Sequence, residues 1–286
     1  MSPLPDTATL IATVEKSPAA VAVHDRDAWL DLFSHDAEVC DPVGSRPARG
    51  RAQLTAFYET FIAPNDITFD VEHDTVAGMT VFRDLTLETV MGGRTGPDGS
   101  TGSEDVALHV PMHLRYDLVD IAGAGRAEDL RLSLLHAHWE LPSMIGQLLG
   151  HGIAGAAAGA GLVPRLLQNQ RVAGALGFGR ALRRAGSPGK AAVESLLGAI
   201  SSGDADAAQR LLEPGTRMEM PARGDAPALS PAELVDRRPG LSWRKLLSAG
   251  MTVTATIDFD GVRGIGLFEF ARSRDRISRA GLYLPE

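Results

Sequence analysis

The run Val39-Cys40-Asp41-Pro42-Val43 sets one carboxylate among apolar neighbours, a setting that a surface aspartate does not need. Buried with such company, a carboxylate loses solvation, its pKa rises towards neutrality, and it becomes able to carry protons. The plain alternative is an aspartate that fixes a turn ahead of proline. Cys40 is next to it, so on a strand it faces the other way and reads as a small core residue rather than a nucleophile. The histidines invite a metal. His109 and His113, however, lie four residues apart, about 13 Å on a strand, too far to chelate one ion alone. His136 and His138 are closer, but no cysteine or carboxylate triad accompanies them. No metal and no cofactor are predicted, and the histidines are assigned to an outer sheet face or an interdomain contact.

The elements around these residues follow from periodicity. Thr9 to Val23 and Asp25 to Phe33 read as helices, the second opening on an aspartate that can cap it. Arg51 to Ile62 reads as a third, because Leu54, Phe57, Tyr58 and Phe61 recur at helical spacing. The period then changes to two. Ile67, Phe69 and Val71 alternate with polar residues, as do Val81 to Met91, Leu108 to Leu118 and Leu130 to Trp139, which predicts four strands. The segment Gly92 to Asp105 holds five glycines. No helix start follows it, so it reads as a hairpin loop rather than a phosphate cradle. Helices followed by antiparallel strands make an α+β domain. The order recurs in miniature after residue 190: a helix Lys190 to Ser201, a short helix to Leu212, a strand near Met218, a helix from Ser230 and three strands between Met251 and Leu284. At a constant offset of 179, Asp25, Asp27, Ala28, Leu32 and Pro42 match Asp204, Asp206, Ala207, Leu211 and Pro221. Two copies of one fold are expected, packed as an internal pseudo-dimer or within a homo-oligomer.

The motif Asp41-Pro42-Val43-Gly44-Ser45-x-Pro47-x-x-Gly50, followed by Phe57-Tyr58, resembles the Δ5-3-ketosteroid isomerases of the nuclear-transport-factor-2-like superfamily. The resemblance covers roughly residues 7 to 140, with a weaker echo over 190 to 286. It implies a curved antiparallel sheet and helices around a conical apolar cavity, with Asp41 as the general base that moves a proton on a steroid enone. It also implies that Trp29, Phe57, Met112, Leu114 and Trp139 line that cavity. The family's oxyanion donors, a helix tyrosine and a strand aspartic acid, fall on Ser17 and Met112, neither of which is an acidic donor. Tyr58, at the place of a family tyrosine, and Tyr116, which shares Met112's strand parity, are the candidate replacement donors, with an ordinary core aromatic as the alternative reading of Tyr116. In the second copy Met220 stands at the offset of Asp41, so that copy reads as a structural partner.

Between the copies, Leu141 to Val193 contains no acidic residue. Charge is −13 over residues 1 to 140, +6 over 141 to 190 and −1 over 191 to 286, giving −8 for all 286 residues. The apolar basic connector suits packed helices or peripheral contact with anionic lipid through 142 to 186. Its many glycines speak against a membrane span. An acidic chain makes nucleic acid a poor partner. A single cysteine excludes an internal disulfide. The absence of a basic-then-apolar start predicts a cytoplasmic location. The expected architecture is therefore two cone-like α+β domains, 1–140 and 190–286, joined by a helical connector over 141–189. The expected function is isomerase-like proton transfer on a bulky hydrophobic molecule: a steroid, isoprenoid or polyketide. A non-catalytic carrier and an epoxide hydrolase or cyclase on the same scaffold stand as alternatives.

Overall fold

The computed structural model describes residues 5–91, 106–123, 125–152, 184–221, 228–237, 240–271 and 276–285. Its first half opens with α1 (Thr7–Ala22), whose leading amide at Thr9 donates to the Asp6 carboxylate, and α2 (Arg26–Asp31), capped in the same way by Asp25. Strand β1 (Phe33–Cys40), a short β2 (Ala48–Arg49) and α3 (Gly50–Phe57) follow, and a π-helical turn (Tyr58–Ile62) extends α3. Long strands β3 (Asp66–Ala77), β4 (Thr80–Met91), β5 (Val106–Asp120) and β6 (Leu130–His138) complete a six-stranded sheet in the order β2-β1-β6-β5-β4-β3.

Two features depart from the sequence expectation. The sheet is mixed rather than wholly antiparallel, because β1 runs parallel to β6. Strand β1 reaches the sheet by a long crossover through α3 and β3 to β5, a connection that permits parallel pairing where a hairpin does not. The sequence also hid β1, whose composition is half polar and whose pairing slips between Phe33 and Glu38.

Helix α4 (Leu141–Gly150) lies on β5. Gln147 donates to the His109 carbonyl and accepts from its amide, while Met144 and Leu148 pack on Val106 and Leu108. Ile145 and Leu149 face outward. The rest of the connector, 153–183, and the glycine-rich segment 92–105 lie outside the described residues. Among those described, no helix is long and apolar enough to cross a membrane.

The second half comprises α5 (Gly186–Ser202), α6 (Ala205–Leu211), β7 (Met218–Glu219), α7 (Pro231–Asp236), β8 (Leu241–Ala249), β9 (Thr252–Phe259), β10 (Val262–Phe270) and β11 (Ile277–Tyr283). Its sheet order is β7-β11-β10-β9-β8, again with one parallel pair, β7 and β11. Strand β8 precedes the three strands expected. A bulge between Arg244 and Leu247 breaks its alternation and concealed it.

The pairing repeats between the halves row by row. Val39, Leu135, Tyr116 and Val81 stand side by side across four strands, as do Met218, Ala280, Phe268 and Val253. Ala77-Gly78-Met79-Thr80 turns between β3 and β4, and the same four letters, Ala249-Gly250-Met251-Thr252, turn between β8 and β9. Asp204 caps α6 as Asp25 caps α2.

The two sheets pack back to back. Alternation along β4 and β5 sends Val81, Leu85 and Met112 into the first core and Phe82, Asp84 and His113 to the other face. There Phe82 meets Ile265, Leu267 and Tyr283. Beside this apolar patch, Asp84 accepts from Lys245 at 2.6 Å, Arg263 at 2.7 Å and Thr256 at 2.8 Å. Burial pushes the Asp84 carboxyl upward, but these donors and the neighbouring His113 hold it down to about 2.

Candidate active site

The inner face of the first sheet, with α1, α2 and α3 laid across it, encloses a cavity of about 150 Å³. Apolar side chains make most of its wall, among them Val21, Phe57, Phe69, Leu87, Met112 and Leu114. Asp41 is carried there by β1, which ends one residue earlier, and a cis peptide bond joins it to Pro42. Its Oδ1 accepts from the Trp139 indole N–H at 2.6 Å. Because it lines the cavity, Asp41 keeps partial accessibility while protein surrounds it on its other sides. Desolvation raises its carboxyl to about 6 from an ordinary 3.8, and the Trp139 bond pulls the other way without prevailing. That bond favours the charged form.

A chain of neutral polar groups accompanies Asp41 in the wall. The Trp29 indole N–H donates to Ser17 Oγ at 3.2 Å, and Ser17 is hydrogen-bonded to Tyr116, with both residues buried. Burial pushes the Tyr116 phenol up to about 12, which keeps it a neutral O–H. Ser17 can donate only once. If it donates to Tyr116, the tyrosine proton is free for a ligand; if it accepts from Tyr116, its own proton is free. Either way one hydroxyl proton remains over.

Of the sequence-predicted residues, Asp41, Trp29, Phe57, Met112, Leu114, Tyr116 and Trp139 all line this cavity. Tyr58 does not, which corrects the expectation of it as a donor. It packs beside Trp29 with ring centres 5.6 Å apart, and its buried hydroxyl has no partner among the described residues. The reason is local. Phe57 and Tyr58 are successive in a helix, so when one ring faces the cavity its neighbour is turned about 100° away.

Cys40 is buried with Sγ near the Pro42 and Ser45 carbonyls, and burial raises its thiol, in keeping with a core residue. His113, on the outer face of the first sheet, bonds Thr254 at 2.7 Å and Thr256 at 3.0 Å on the second sheet. His136 bonds Glu38 at 2.9 Å. No metal-ligating cluster occurs among the described residues. Ser17 as a hydrogen-bonding centre escaped the sequence reading because its partners come from remote segments, and Asn65 because a lone polar residue between a helix and a strand carries no motif. In the second half, Met220 packs against the core, and Phe268 occupies the row of Tyr116.

Residues 14–120 match the family of SnoaL-like domains. No curated protein matches the sequence. Among solved structures the chain is similar to Δ5-3-ketosteroid isomerase from Mycobacterium sp., with 28% identity over 48% of this chain and 96% of that one and a TM-score of 0.37. It is also similar to RV0760c from Mycobacterium tuberculosis, solved in complex with estradiol-17beta-hemisuccinate, at 21% identity, 48% and 96% coverage and a TM-score of 0.36. A third similar structure is an LEH-like epoxide hydrolase of M. tuberculosis, at 17% identity, 54% and 95% coverage and a TM-score of 0.39. The stretch that matches SnoaL-like domains holds Ser17, Trp29, Asp41, Phe57, Met112 and Tyr116 of the cavity wall.

Proposed function

We propose that the first half is an isomerase-like enzyme that moves a proton between two carbons of a hydrophobic enone, with Asp41 as the general base. The substrate is an apolar carbonyl compound of the steroid, isoprenoid or polyketide kind. Ionised Asp41 takes a proton from the carbon activated by the carbonyl, the electron pair passes into an enolate, and the protonated carboxyl returns the proton to the distal carbon. The enolate oxygen receives the spare hydroxyl proton of the Tyr116 and Ser17 pair. The observation that carries this reading is a carboxylate raised to about 6 in an otherwise apolar wall. At neutral pH it is ionised yet basic enough to accept a proton. A volume of about 150 Å³ holds about one ring. Larger substrates therefore extend past Phe61 and Met144, whose side chains must yield. In the same reading, residues 1–140 form the ligand-holding domain, 141–189 link it onward, and 190–286 are a second copy serving as an internal partner.

Met112 in the cavity wall favours one second reading. Without a second acidic donor the site stabilises an enolate less, as a non-catalytic carrier would. Asp41→Asn separates the two. The side chain keeps its shape and still accepts from Trp139, so a 3-keto-5-ene steroid should bind with unchanged affinity while its conversion to the conjugated enone falls by about a hundred- to ten-thousandfold. No turnover above the uncatalysed rate by either protein would favour the carrier, and equal catalysed turnover by both would contradict Asp41 as the base.

A further inference from the structure

Asn65 sits where the π-helical turn gives way to β3. With Ile67 and Phe69 it occupies the cavity side of the chain at a two-residue period. Its Nδ2 donates to the Phe61 carbonyl at 2.9 Å, and its backbone N–H donates to the Ile62 carbonyl at 3.1 Å. A carbonyl only accepts, so the Phe61 bond fixes which amide atom faces it and leaves Oδ1 elsewhere. That oxygen is buried, on a residue 8% exposed, and has no hydrogen-bond partner among the described residues. Capping of the π-helical turn accounts for Nδ2 but not for Oδ1, and an acceptor buried without a donor costs free energy unless something else supplies one. Asn65 is also remote from Asp41 within the wall. Asp41 lies near the level of Leu114, whereas Asn65 adjoins Ile67, which pairs with Thr89 and through it with Leu108, six residues away along β5.

We infer that Asn65 determines specificity by accepting a hydrogen bond from a ligand hydroxyl, so that the ligand is an apolar body with a carbonyl at the Asp41 end and an O–H at the other. This rests on the enone reading for the placement of the carbonyl, but not on Asp41 acting as a base. Only a donor satisfies Oδ1. A ketone at the same position would set two acceptors against each other, and a bare methylene offers nothing.

The test measures binding to the full-length Asp41→Asn protein, which keeps the proton-transfer question out of the readout. The probes are three 3-keto-4-ene steroids that differ only at carbon 17, bearing a hydroxyl, a ketone or hydrogen alone. The hydroxyl probe should bind about tenfold more tightly than the unsubstituted one, and the ketone no more tightly than the unsubstituted one. Adding Asn65→Leu should abolish the hydroxyl advantage, so that the hydroxyl and unsubstituted probes bind alike. Equal binding of all three to the Asp41→Asn protein would overturn the inference while leaving the catalytic reading standing. So would a hydroxyl preference that survives Asn65→Leu, or an equal loss for all three probes in that variant. Failure of every probe to bind would overturn the enone reading and this inference together. Should the leucine variant not fold, the three-probe series on the Asp41→Asn protein decides alone.

Discussion

At Asp41 burial and hydrogen bonding oppose each other, and the balance sets what the carboxylate can do. Apolar walls favour its neutral form, the Trp139 N–H favours the anion, and desolvation wins. In the proposed reaction Tyr116 is the complementary donor. Its burial keeps the phenol protonated, and its bond to Ser17 is what leaves one hydroxyl proton unspent. Tyr116→Phe should therefore lower kcat by about a hundred- to a thousandfold with little change in KM, measured on the same steroid enone as Asp41→Asn. A purely structural tyrosine would instead lose stability and leave kcat of the folded fraction unmoved. The motif around Asp41 made this residue, and the wall residues Trp29, Met112, Leu114 and Trp139, legible in the sequence. Tyr58 was misplaced because a motif gives neighbours in sequence, whereas a helix sends neighbours in different directions. The Trp29, Ser17 and Tyr116 chain was illegible because it joins two helices to a strand.

Individual elements hold Asp41 from both halves of the chain. Glu140, next to Trp139, accepts from Lys190 at 2.7 Å and from the Ser248 amide at 3.2 Å. The β8–β9 turn presses on the loop that follows Asp41. Gly250 has φ +54°, and a methyl there would stand 2.6 Å from Gly44 Cα and 3.2 Å from the Val43 carbonyl oxygen. Gly250→Ala thus forces that loop to shift, and a displacement of about 1 Å at reacting groups can cost on the order of a hundredfold in rate. We expect Gly250→Ala to reduce turnover at least tenfold. Gly261→Ala is the control, since Gly261 also has positive φ, +80°, but nothing lies within 4 Å of the added methyl. Equal turnover in the two variants would refute the brace. The long period-two strands were readable because each has one face in a core and one outside it. Strands β1 and β8 were not, since half of β1 is polar and a two-residue bulge separates Arg244 from Leu247 in β8.

For the whole molecule, the back-to-back packing depends on a buried charge cluster as well as on apolar contact. Asp84, 1% exposed, faces Lys245 and Arg263 across the interface. Removing it leaves Lys245 and Arg263 with only the exposed Glu72 as an acidic partner, and Asp84→Ala should destabilise the protein at pH 7 by about 3 kcal/mol in denaturant unfolding. Its pKa is about 2 folded against an ordinary 3.8. The stabilisation is therefore complete above about pH 4 and fades as pH falls towards 2, where the variant and the parent should converge. A constant difference between them across that range would contradict the assignment. The repeat of the fold could be seen in matched letters at offset 179, but the Ala-Gly-Met-Thr turn recurs at offset 172. No single offset fits both, because the two copies differ in length between helices and strands.

Whether its apolar surroundings make Asp41 basic is read most directly by a pH titration of the Asp41 carboxyl carbon by NMR, assigned by loss of its signal in Asp41→Asn. A midpoint near 6 is expected, with kcat/KM for the enone rising through the same pH as the base ionises. A midpoint at the ordinary 3.8, with a rate flat from pH 5 to 8, would contradict it.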